Sequence, residues 1–121
     1  MNQEEEQIIN NFLNEICSLF PEVKPRMDSH DDFMTTSKME EFANATTQAF
    51  SSGNTELAKS YLDYINKKLT NAHPKEFEFI DVYYVENLFW QASQQTKELG
   101  WPLVPAKLQS LYVAFHGKPA L

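Results

Sequence analysis

One cysteine, three glycines and no long apolar run set the first limits on this 121-residue chain. With Cys17 alone, no internal disulfide can form, and neither a four-thiolate nor a two-cysteine zinc site can be built, which points to a reducing compartment. Gly53, Gly100 and Gly117 stand far apart, so they cannot assemble the glycine-rich loop that cradles a nucleotide pyrophosphate. Nowhere do about 18 apolar residues run together, and the opening MNQEEEQ is acidic where a secretory leader would be basic. The expectation is a soluble cytoplasmic protein with no membrane contact. Apolar residues make up 42% of the chain and aromatic ones 13%, enough core for a single helical domain spanning 1–121.

Basic residues are also in short supply. Lys and Arg number 10 against 17 Asp and Glu, a net charge of −7, and the imbalance is local. Residues 1–41 hold ten acids and three bases, whereas residues 42–121 carry seven of each. Without a basic stripe the chain is poorly suited to contact phosphates, so direct nucleic-acid binding is not expected. A partner with a basic surface is, and the acids that would meet it are Glu22, Asp28, Asp31, Asp32, Glu40 and Glu41.

Helical spacing dominates what is present. Ile8, Ile9, Phe12, Leu13, Ile16 and Phe20 share one arc, which predicts an acidic first helix over 1–20 ended by Pro21. Residues 21–36 contain two prolines and no sustained period, and read as a loop. Ser37 and Glu40 match a capping box, so a second helix is expected from Lys38 to Gly53, with Asn54 capping a third through Leu69. Pro74 suits the first turn of a fourth helix over 75–93, expected to be central because apolar side chains surround most of it; a strand at 76–79 is the rival reading. Residues 94–104 read as a connector, and Pro105 opens a last helix closed by Gly117 with Leu108, Leu111, Tyr112 and Phe115 inward. The fold class is therefore all-α, a compact five-helix bundle or a short helical-repeat domain, with residues 37–119 as its helical core.

Three clusters could carry chemistry. Asp28, His30, Asp31 and Asp32 offer oxygen and imidazole ligands, yet the spacing matches no calcium loop and no further histidine joins them. Asp81 falls inside the most apolar stripe, and with Glu86 and His116 it would make a small acid–base site if the three converged. Trp90, Trp101 and Tyr83 fit either core packing or a binding surface, and Cys17 fits packing better than reactivity. No metal or cofactor is called for by these residues, and no complete catalytic constellation exists.

Val82-Tyr83-Tyr84-Val85-Glu86-Asn87-Leu88, together with Leu103-Val104-Pro105, Leu108, Leu111-Tyr112, Phe115 and Gly117-Lys118-Pro119, resembles the paired signatures of a family of small, uncharacterised bacterial helical proteins. The resemblance covers residues 37–119. It implies a compact helical-repeat domain and an immunity protein, or a related accessory of a secreted toxin, and it implies no catalytic residue. The functional expectation is thus a non-enzymatic immunity protein that occludes a cognate toxin acting in the cytoplasm. The alternative is an adaptor or regulator that holds a peptide or helix on a helical-hairpin surface between its second, third and fourth helices.

Overall fold

The computed structural model describes residues 1–121, and all its regular structure is helical. α1 (Gln3–Leu19) leads through a 3-10 turn (Pro21–Val23) into α2 (Lys24–Asp28), then α3 (Thr35–Ser51) and α4 (Thr55–Leu69). α5 (Pro74–Glu78) continues as a π segment (Phe79–Tyr84) and a 3-10 turn (Val85–Asn87). α6 (Gln94–Gly100), a 3-10 turn (Trp101–Leu103) and α7 (Ala106–His116) complete the chain. No strand forms at 76–79, because His73 instead starts a helix there. Its Nδ1 accepts from the Lys75 amide at 3.0 Å while its own amide donates to Glu76 Oε1 at 2.9 Å.

Seven α-helices replace the expected five, and the two extra ones were hidden for a physical reason. Both are short, five residues in α2 and seven in α6, too few to display a hydrophobic period. Residues 21–36 are consequently not one loop. Pro21 and Pro25 sit in first-turn positions, where a missing amide donor costs nothing, so they start helical turns rather than break them. Within 94–104, the Ser93 hydroxyl accepts from the Thr96 amide at 3.1 Å and caps α6.

Two expected caps also differ. α3 begins at Thr35 rather than Lys38, with Met34 at its cap, so Ser37 lies inside the first turn and forms no capping box with Glu40. Asn54 does occupy the cap of α4 but makes no side-chain cap bond. Gly53 performs as expected: at φ +82° it turns the chain, and Asn54 N–H reaches back to the Ala49 carbonyl at 2.7 Å. Gly117 closes α7 at φ +79°.

The central element is α3, not the helix that follows Pro74. α3 packs against α1, α2, α4, α6, the turn at Pro21–Val23 and the π segment. Its inner face carries Met39, Phe42, Ala43, Thr46, Ala49 and Phe50, all buried. The Phe42 ring lies 5.1 Å from Tyr61 and 5.3 Å from Tyr84, and Thr46 Oγ1 meets the fully buried Tyr84 hydroxyl at 2.8 Å. A buried hydroxyl is costly without such a partner, so this bond fixes how the π segment sits on α3.

A π turn places residues five apart on one side, and the sequence here is spaced to match. Phe79, Tyr84 and Phe89 are all buried, as are Ile80 and Val85. The same spacing leaves Phe77 substantially exposed, although a regular helix would bury it in the stripe with Ile80 and Tyr84. Phe115 on α7 likewise faces solvent rather than the core.

Gly100 is required by space. A Cβ there would lie 2.7 Å from a Phe89 ring carbon and 2.9 Å from one of Phe50, both on buried rings. Gly100→Ala is expected to cost about 1–3 kcal/mol through forced displacement of those rings. Urea denaturation would read this as a lower midpoint with an unchanged slope; a midpoint within error of the parent would show that the rings yield freely.

Candidate functional site

The acids of the first third are largely engaged within the fold. Glu22 accepts from the Tyr61 hydroxyl, and burial followed by that carboxylate pushes the tyrosine's pKa well above its ordinary value. Asp28 pairs with Lys24 on α2. Glu41 lies 2.9 Å from His30 Nε2 and 3.7 Å from Arg26, tying α2 to α3, while Arg26 also contacts Gln48. Glu15 accepts from Tyr64 and lies 3.5 Å from Lys68; Glu5 lies 3.8 Å from Lys75. The charge asymmetry read along the chain is therefore partly cancelled in space, because α1 acids meet bases of α4 and α5.

What stays free is narrower. Neither Asp31 nor Glu40 has a side-chain hydrogen bond or ion pair, and Asp32 is fully exposed with Lys38 at 3.7 Å. Asp31 and Asp32 stand beside Phe33, whose surface is 79% exposed, and the partly exposed Met34. Thus the six expected partner-facing acids divide: Glu22, Asp28 and Glu41 serve internal contacts, whereas Asp31, Asp32 and Glu40 face outward. The loop acids do not converge on an ion site, since Asp28, His30 and Asp32 each turn to a different partner.

Asp81, in the π segment, and Glu86, in the 3-10 turn that follows it, lie near enough for one charge to act on the other. Burial raises both carboxyl pKa values, and the Asp81 charge raises that of Glu86 further. His116, however, directs Nε2 to the Glu86 carbonyl oxygen at 3.1 Å and stacks on Tyr112 with centroids 4.0 Å apart. The imidazole thereby holds α7 against the 3-10 turn that follows the π segment. Cys17 is half-buried with Sγ 3.5 Å from Met27 Sδ, and burial raises its pKa, as befits a packed thiol.

A second surface forms at Trp90, for which the sequence leaves core packing and a binding surface both open, whereas Trp101 and Tyr83 are half-buried. Phe89 and Gln91 adopt φ of +62° and +56°, conformations unfavourable for residues bearing a Cβ. Packing enforces them: the Phe89 ring lies among Phe50, Trp101 and Tyr112, and its amide donates to Thr47 Oγ1 at 2.9 Å. Asn87 closes the preceding turn through Nδ2 on the Tyr83 carbonyl. Between the two strained residues, Trp90 is held outward, 64% exposed, over a cleft of about 490 Å³ beside α3. The advance signal was the density of aromatics after Asn87.

These features define an all-helical protein that exposes acids with an aromatic neighbour and an indole over a polar cleft. The chain belongs to the family described as a domain of unknown function (DUF7674), whose profile matches residues 13–117. No curated protein and no solved structure matches it. No helix is long and apolar enough to cross a membrane.

The carboxylate of Asp81 generates a pH prediction. A carboxyl whose pKa is higher in the folded than in the unfolded chain makes folding bind protons. Its unfavourable contribution is fully present above the raised value and disappears as pH falls below the ordinary one. Asp81→Asn is accordingly expected to melt higher than the parent at pH 7, with the two melting temperatures converging toward pH 4. A difference independent of pH would assign the effect to something other than this carboxylate.

Proposed function

We propose that this protein is a non-enzymatic inhibitor that binds a basic partner protein, in the manner of an immunity protein occluding a bacterial toxin that acts in the cytoplasm. The observation that carries the reading is the grouping of Asp31 and Asp32 with exposed Phe33 and Met34, ahead of Glu40 on α3. Asp31 and Glu40 have no internal cation and Asp32 only Lys38 at 3.7 Å, and such outward carboxylates attract a cationic surface over distances of about 10 Å and set its approach. An exposed aromatic beside them supplies apolar contact area that charge alone does not give, and aromatic residues are enriched at interface centres. Bulk then does the inhibiting: a folded 14.0 kDa domain seated on a cleft excludes substrate without chemistry of its own.

The reading separates two sets of acids. Asp31→Lys with Glu40→Lys should lower the association rate with the toxin encoded beside this protein by tenfold or more at low salt, and flatten its salt dependence. Phe33→Ala should speed dissociation. Asp28→Asn, which removes an acid already paired, should change the association rate by less than about twofold. A toxin that neither binds nor is blocked by the folded protein, or binding indifferent to Asp31, Glu40 and Phe33, would end the proposal.

An adaptor reading draws on one different observation. Leu69, Phe77 and Leu111 line an apolar groove of about 320 Å³ where α4, α5 and α7 meet, so it shares α4 and the helix from Pro74 with the surface expected from sequence but has α7 in place of α3. Phe77→Ala abolishing capture of a helical peptide, with Asp31→Lys harmless, would favour it.

A further inference from the structure

We propose that the cleft beneath Trp90 binds a neutral, hydroxyl-bearing sugar ring. The argument begins with charge. Of the eight residues lining the cleft, none is Asp, Glu, Lys, Arg or His, in a chain where 22% of residues are charged. An ionic ligand would find no counter-charge among the lining residues. Arg26, which reaches the lining only through Gln48, is already engaged by Gln48 Oε1 and by Glu41, leaving it committed when a nucleotide's phosphates would need a cation.

The polar groups that do line it are amides and hydroxyls, and several are unused. The side chains of Asn44, Ser51 and Gln91 make no hydrogen bond within the protein. Thr47 is committed, since its hydroxyl donates to the Ala43 carbonyl and accepts from Phe89. Asn44 and Gln91 each offer two N–H donors and a carbonyl acceptor, which suits a ligand whose hydroxyls both donate and accept. Asn44, Thr47 and Ser51 follow the helical repeat on one face of α3, so the polar wall is continuous and rigid.

The indole supplies the remaining requirement. A pyranose has one face of C–H groups and a rim of hydroxyls, and it rests its apolar face on an aromatic ring while the rim bonds to amides. Trp90 is the only large apolar lining residue, Ala92 being the other apolar one. An extended peptide is a poorer match: it calls for a free strand edge or for apolar pockets at alternate side chains, and neither is present. The backbone at Phe89 and Gln91 further shows that the fold tolerates unfavourable φ angles while keeping this tryptophan outside, although burying an indole is the ordinary outcome.

The test titrates the full chain with glucose, galactose, mannose, N-acetylglucosamine and their short oligomers, following tryptophan fluorescence and the side-chain amide signals of Asn44 and Gln91. At least one sugar is expected to saturate with a Kd of about 1 mM or tighter. Trp90→Ala should weaken that sugar at least tenfold, and Asn44→Ala severalfold. Both residues are exposed, so circular dichroism and melting temperature should stay at parental values. No saturation by any sugar up to about 100 mM, saturation instead by a nucleoside or a peptide, or full affinity in Trp90→Ala would each overturn the proposal. None of these outcomes touches the acidic loop's role, because Asp31, Phe33 and Glu40 lie outside the cleft.

Discussion

An extra residue in each turn of the π segment governs the rest of the molecule. Were residues 79–84 a regular α-helix, side chains five apart would diverge by more than a quarter turn, and Phe79 and Tyr84 could not both enter the core; Phe89 is turned inward separately, by the positive φ that follows the 3-10 turn. With five-residue spacing Phe79 and Tyr84 do, and the Tyr84 hydroxyl is brought to Thr46 at 2.8 Å. That contact lies between two fully buried groups, and Thr46 keeps a second bond to the Phe42 carbonyl at 2.9 Å, so a slip in register would leave the Tyr84 hydroxyl without a partner in the low-dielectric interior. The register also leaves Asp81 near enough to act on Glu86 and delivers the chain to Leu88 in an orientation that the strained turn at 89–91 must complete.

Charge operates at two levels that a linear count merges. Along the chain, the first third is heavily acidic; in space, Lys68 approaches Glu15 and Glu76 while Lys75 approaches Glu5 and Glu78. These links join α1 to the ends of α4 and α5, far apart in sequence. Individually, exposed ion pairs contribute little stability. Their larger consequence is subtraction, since acids held by internal cations present less field to a partner; Glu4, Glu6, Asp31 and Glu40 stay unpaired, and Asp32 is fully exposed beside Lys38.

The long helices were legible because their buried faces repeat over three or more turns: the boundaries of α1, α4 and α7 fall within a residue or two of those expected, and Gly53 and Gly117 both adopt positive φ. Short elements were not. Five residues of α2 make little more than one turn, and prolines that start a turn look identical in sequence to prolines that stop one. The π segment was misread as a helix buried all round, because five-residue spacing of aromatics superimposed on a 3.6-residue wheel spreads apolar positions over the whole circumference. For Trp90 the sequence does not decide between core and surface: its exposure follows from backbone angles at its neighbours, and those follow from how the Phe89 ring fits against Gly100 and Phe50, a three-body packing fact with no local pattern.

α3 separates the molecule's stability from its candidate recognition chemistry. Residues on its inner face, Met39, Phe42, Thr46 and Phe50, contact nearly every other element and are closed to substitution by packing. Its solvent face is free to vary. Glu40 stands near one end of that face and Asn44, Thr47 and Ser51 follow toward the other, spanning much of a helix about 25 Å long. Glu40, Asn44 and Ser51 make no side-chain contact that the fold needs, so changes there should perturb binding and stability independently, as expected for sites that share no partners. A rigid helix held from beneath by aromatic packing can carry two distinct surfaces, an acidic one beyond its start and an uncharged one beside its end, without the chemistry of either compromising the core.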